Sequence, residues 1–182
     1  LLSLPPLYWL AYLPAKRVAA AQVNGQVAFN PAKLEELRKA GVDVRAQTRA
    51  WLDWLLPRQR ADGGFDRFCG ARTGAWRGCM AADADDSTAA TTIHLLRLAQ
   101  GRNWLDRRQS AQARVAERGA SAMLSALHDP GNGLYRVFAG QPVYYLMDNL
   151  EVYDALQAQE RAPLATALAG AIRAHFRGPL AW

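Results

Sequence analysis

The sequence predicts an all-α fold assembled from helix pairs, and three observations lead there. Helix-period apolar faces with start and stop signals recur along the chain, and strand-like patterning is confined to "LYRVF" and "PVYYL". A block of amphipathic helix, Gly-rich aromatic loop and acid-headed apolar helix also occurs twice. With 182 residues, 51% of them hydrophobic, the chain is long enough to bury a core.

Residues 1–29 form an apolar N-terminal segment that opens "LLSLPPLYWLAYLPAKR". Pro5, Pro6 and Pro14 interrupt it, and it falls short of the ~20 apolar residues that cross a bilayer, so no membrane span is expected. It reads either as what remains of a processed export signal or as a segment packed on the domain. The domain proper is expected over 30–182.

In "FNPAKLEELRKAG", Asn30 is an N-cap, Pro31 fits the first helical position and Gly41 supplies the stop. "VDVRAQTRAWLDWLLPRQ" follows as an amphipathic helix with Val44, Thr48, Trp51, Trp54 and Leu55 on one face, ending around Pro57. The stretch "RADGGFDRFCGARTGAWRGCM" reads as loop, because adjacent glycines after Asp62 punctuate any helix. From Asp86 to Gln100 the chain is apolar on nearly all sides, as in a helix buried on most faces, with Gly101 as its stop. Residues 110–128 place Val115, Ala122, Met123 and Leu127 on one side and Arg114, Glu117 and Arg118 on the other. "LMDNLEVYDALQAQ" is a second mostly apolar helix, and a third amphipathic one starts at Pro163.

In the repeat, "LLPRQRADGGFDRF" corresponds to "LSALHDPGNGLYRV" and "DADDSTAATTIHLL" to "LMDNLEVYDALQAQ", at a period of about 60–70 residues. Alternating amphipathic and all-apolar helices are the outer and inner members of stacked pairs, and such pairs close into a toroid with the inner N-termini at one mouth. Only about three pairs fit in this chain, so it is expected to be part of an (α/α)6-type toroid. The remainder would come from further chain or from self-association.

The formal charge is +6 and the pI about 9.7, but the basic residues are scattered rather than gathered in one run, which does not favour nucleic acid. Cys69 and Cys79 flank a Gly- and Arg-containing loop; they form either a disulfide, in an exported or periplasmic protein, or two buried thiols. No His cluster accompanies them, and no metal or cofactor is expected. His94 reads as a hydrogen-bonded core residue, and His128 and His175 as helix-end cations. Ser-His-Asp spacing, a P-loop, CxxC and the dinucleotide fingerprint are all lacking, so those chemistries have no motif support.

The acids carry the functional question. One carboxylate per inner helix is explained by capping, and Asp148 with Glu151 three residues on has capping-box spacing. Asp83, Asp85 and Asp86 within four positions exceed what a cap needs, and crowded carboxylates raise the pKa of one member, which keeps an acid beside a base. Phe65, Trp76, Tyr135 and Tyr144 lie in or near the loops before the inner helices, either as packing or as flat faces for a ligand.

Two resemblances follow from these motifs. The inner-helix acids in "DADDSTAAT" and "MDNLEVYDAL", with the Gly-aromatic loops "DGGFDRF" and "GNGLYRV", resemble the (α/α)6 carbohydrate-active proteins, glycoside hydrolases among them. That resemblance spans most of 45–160 and implies a carbohydrate substrate, general acid and base carboxylates among Asp85, Asp86, Asp148 and Glu151, and sugar contacts at Phe65, Trp76, Tyr135, Tyr144 and Asp83. "AWLDWLLPRQRADGGF" with Gln59, Gly64 and Phe65, and "DADDSTA", resemble the repeat and DxDD motifs of class II terpenoid cyclases over about 50 residues. This second likeness implies Asp85 as proton donor, although Ser87 stands between the last Asp and Thr88 where those cyclases carry Thr directly. A third expectation is a non-catalytic helical-repeat scaffold whose acids only cap helices.

Overall fold

The computed structural model describes residues 37–65, 67–70, 76–80 and 86–177, and for 47, 67–70, 76–80 and 86–87 the backbone alone. The expected N-terminal segment, the helix start at Asn30 and the acids Asp83 and Asp85 lie outside the described residues. After the end of a helix at 37–39 come α1 (Arg45–Leu55), a 3-10 turn (Leu56–Arg58), β1 (Arg67–Gly70), β2 (Trp76–Met80), α2 (Asp86–Gly101), α3 (Arg107–Leu127), α4 (Leu146–Ala158) and α5 (Ala162–His175). The chain is mostly helical, as expected.

The stretch expected to be loop contains an antiparallel strand pair, with Phe68 opposite Gly78, Gly70 opposite Trp76 and a bulge beside Arg67. Phe68 and Trp76 are strand formers, and Gly70 is accommodated as the last residue of β1. The strand-like patterning in "LYRVF" and "PVYYL" forms no strand and leaves an isolated bridge between His128 and Tyr135 and a backbone bond from Val137 N to Val143 O.

Helix ends follow one rule. After each of three helices a residue turns left-handed, its N–H and that of the next residue closing back onto the last turn: Gly41 (φ 82°), Asn103 (φ 56°) and Glu160 (φ 59°). Gly41 acts as expected; the stop after α2 is Asn103 rather than Gly101, since Asn tolerates this conformation almost as readily. Glu160 has no such tolerance. Replacing it with Gly is expected to stabilise the protein by about 0.5–1 kcal/mol, read as a higher urea midpoint at unchanged slope.

α3 begins earlier than its periodicity suggests, because Asp106 and Gln109 make a reciprocal capping box: Asp106 Oδ1 accepts from Gln109 N at 2.7 Å, and Gln109 Oε1 from Asp106 N at 3.3 Å. Its buried stripe is also rotated from the expected one. Ala113, Ala116, Ala120, Met123, Leu124 and Leu127 face inward, whereas Val115 is 60% exposed and Ala122 is exposed. Three of these six are alanines, which hydrophobicity ranking places low although all are buried.

α2 is the centre of the core. Ala89, Ala90, Ile93, Leu95, Leu96 and Ala99 are fully buried, and the helix packs on both α3 and α4, with α5 against α4. Glu117 of α3, expected on the exposed side, is buried and accepts from Arg97 Nε near the end of α2 (2.7 Å) and from Gln159 Nε2 just past α4 (2.8 Å). One carboxylate thus gathers the C-terminal ends of α2 and α4. The two helices also pack on each other.

Seams between successive repeats are polar and close. Gln59 Nε2 donates to Gly63 O (2.9 Å) and to Ala116 O of α3 (2.8 Å), Gln109 Nε2 to Asp53 Oδ1 of α1 (3.1 Å), and Arg49 Nε to Trp104 O. Gly63 lies directly on Gly119 of α3, and Gly133 on Ala171 of α5.

Candidate functional site

The two Gly-rich loops share one hydrogen-bond scheme. In the first, Gln59 bridges to Phe65, Arg60 N donates to Gly64 O and Gly64 N to Asp62 Oδ1. In the second, His128 bridges to Tyr135, Asp129 N donates to Leu134 O and Leu134 N to Asn132 Oδ1. Each turns through a left-handed glycine, Gly63 or Gly133. The repeat read from sequence is therefore physical at its loops.

That scheme sends the residue after the turn inward, which overturns two expected sugar contacts. Phe65 is 1% exposed, and Tyr135 is buried with its ring 5.1 Å from that of His128. Neither offers a face to a ligand, because the apolar ring gains more by closing the loop over the core. Tyr144 is half-buried, its hydroxyl donating to Asp129 Oδ2 and its ring lying edge-on to His175. The Tyr144 hydroxyl, the Gly131 amide and Arg136 together hold the Asp129 carboxyl down at about 2. Trp76 opens β2, with its side chain outside the described residues.

The acids are placed as follows. Asp86 opens α2, with only its backbone described. Asp148 is not the N-cap: that position belongs to Tyr145, and Asp148 is the third residue of α4, so the expected capping box there is not formed. Its charge still lies in the first turn, where the helix dipole favours it. Glu151 sits one turn on, on the same face. Both are half-buried, and neither is unpaired. Tyr145, Leu146, Met147 and Leu150 are exposed around them, so the aromatic face beside these acids is Tyr145, just outside the helix, where periodicity gives no signal.

Sequence reasoning also missed Asn149. It is fully buried, with Oδ1 accepting from Tyr135 N (2.8 Å) and Nδ2 donating to Tyr135 O and Tyr145 O (3.0 Å each). This side chain ties the second loop to the first turn of α4. The signal was present: among the buried positions Asn149, Val152, Ala155 and Leu156, it alone is strongly polar, and the repeat places it opposite Asp86.

His94, expected to be hydrogen-bonded, is half-buried and has no hydrogen-bond partner among the described residues. Burial lowers its pKa from 6.5, and Asp154 of α4 offsets part of that. The depressed value means its contribution to stability is full above the unfolded pKa and is lost as pH falls through about 6.5 towards the folded value. His94→Gln is expected to flatten the fall in urea midpoint between about pH 7 and pH 5, while equal slopes for the two proteins would show that His94 does not set it.

Among the described residues, no three His, Cys, Asp or Glu side chains gather as a metal site, and no helix is long and apolar enough to cross a membrane. Over the described residues the chain is mostly helical, with Asp86 opening α2 and Asp148 in the first turn of α4. No family model, curated protein or solved structure matches the chain.

Proposed function

We propose that the chain is an arc of an α/α toroid that binds and processes carbohydrate at the end where α2 and α4 begin. The observation that supports this reading is the packing of α2 on α4 with residues near both C-terminal ends held by Glu117, from which Asp86 at the start of α2 and Asp148 with Glu151 in the first turns of α4 are taken to lie towards the other end. Carboxylates contributed from different inner helices are what general acid and base attack on a glycosidic bond requires, and their separation selects inversion or retention. Tyr145, 54% exposed beside Asp148, takes over the stacking role first assigned to Phe65 and Tyr135.

The test pairs Asp148→Asn with Glu151→Gln and reads reducing-end release and binding over a panel of plant, bacterial and fungal polysaccharides. Turnover falling by a factor of about 100 or more, with binding retained, supports acid–base roles. Absence of both binding and turnover for the parent protein across the panel removes the reading.

One observation favours a second reading, a non-catalytic repeat scaffold. Asn149, the counterpart of Asp86, spends all its described hydrogen bonds on the protein's own backbone. On this reading the double variant alters stability alone and leaves carbohydrate binding and turnover absent in parent and variant alike.

A further inference from the structure

α3 presents an outer surface that the inner-end chemistry leaves unused. Arg107, Arg114 and Arg118 follow i, i+7, i+11 spacing, which at 3.6 residues per turn confines them to about 40° of the helix. All three are exposed and make no described hydrogen bond or ion pair. The only acid of α3, Glu117, is buried and occupied by Arg97 and Gln159. Among the described residues none of the three arginines is paired, so the stripe carries net positive charge, with the N-cap Asp106 beside Arg107 as the one acid adjoining it in sequence.

Beside the stripe runs an open groove of about 730 Å³ between α3 and the α1 end of the chain. Leu52, Leu56, Pro57, Ala111, Val115 and Ala116 make its apolar lining, and Arg108 and Gln112 stand at its α3 side. Val115, an exposed branched apolar side chain, stands where groove and stripe meet. Asp53, the one acid in the lining, accepts from Gln109.

We infer that the groove between α1 and α3 docks an acidic amphipathic helix of a partner protein. Its apolar stripe lies against Leu56, Pro57 and Val115, and its carboxylates face Arg107, Arg114 and Arg118. Charge complementarity selects an acidic partner, and the apolar trough selects one with apolar residues at i, i+3/i+4 and i+7. Nucleic acid is disfavoured because the lining has no aromatic ring on which a base could stack. A membrane surface is disfavoured because the apolar residues line a depression instead of projecting from the surface.

The test is fluorescence anisotropy with a labelled synthetic helix of about 14 residues, Leu at the stripe positions and Glu elsewhere. Parallel arms use the same composition scrambled, a short DNA duplex, and phosphatidylserine vesicles. Saturable binding of the patterned peptide is expected, weakened at least about tenfold by scrambling, by Val115→Glu, and by Arg107→Glu with Arg114→Glu and Arg118→Glu together. All four positions are exposed, and unchanged helical circular dichroism confirms that each variant is folded. No saturable binding of the patterned peptide, binding indifferent to both variants, or tighter binding to DNA or vesicles each overturns the inference.

Discussion

Asn149→Ala is expected to lower stability by about 3–5 kcal/mol and the melting temperature by roughly 10 °C. The substitution strands the Tyr135 N–H and two carbonyls, those of Tyr135 and Tyr145, and each buried group left without a partner costs about 1–3 kcal/mol. The loop that carries Tyr135 also loses its tie to α4. Asn149→Asp separates the two halves of this effect. The carboxylate keeps the acceptor for Tyr135 N but meets two carbonyls where the amide donated, so burial among acceptors raises its pKa above the usual 3.9. A raised carboxyl pKa means that the deficit is largest at neutral pH and shrinks as pH falls through the raised value. Denaturant midpoints for parent and both variants from pH 4 to 8 check this. A midpoint within about 1 kcal/mol of the parent for Asn149→Ala would show that the loop is held by apolar burial alone.

Gly63→Ala is expected to cost about 2–4 kcal/mol. A Cβ at this position lies 2.0 Å from Gly119 O and 2.8 Å from Gly119 Cα, so backbone must move on one side of the seam. Overpacking of that kind costs roughly 1–3 kcal/mol, and the positive φ of 86° adds about 1 kcal/mol for any residue with a Cβ. Gly133→Ala is the control. It has a similar φ of 75°, but its nearest neighbour is the Ala171 Cβ at 3.1 Å, a side-chain atom, so a smaller loss is expected. Equal losses at the two positions would assign the effect to φ alone.

The helices and loops of this fold were legible because their causes are local. Apolar periodicity found α1, α2, α4 and α5, and Gly41 marked a stop that the structure forms. The loop repeat was visible because Gly63 and Gly133 fill the same left-handed corner. What escaped depends on partners distant in sequence. The buried face of α3 includes Ala113, Ala116 and Ala120, which carry little apolar signal, and Glu117 is buried because Arg97 and Gln159 satisfy it. Phe65 and Tyr135 look like ligand platforms in a Gly-rich string, and only the loop closure shows that they point inward. At the start of α4, the sequence spacing suggested a capping box of Asp148 with Glu151 that the structure does not form, and the role of Asn149 was not readable. An amide between two acids resembles a diluted acid motif until its three backbone partners are known.

The seams described above also bear on how the protein opens. The first loop is seated on α3 and the second on α5, so each loop is completed by the repeat that follows it rather than by its own. In an array coupled this way, stability resides in nearest-neighbour contacts, and loss of one unit lowers the barrier to losing the one before it. Amide exchange should consequently be graded along the chain: release of α5 unseats Gly133 and frees the second loop first, while the amides of α2, enclosed by neighbours on both sides, exchange last. The protein would unzip in one direction.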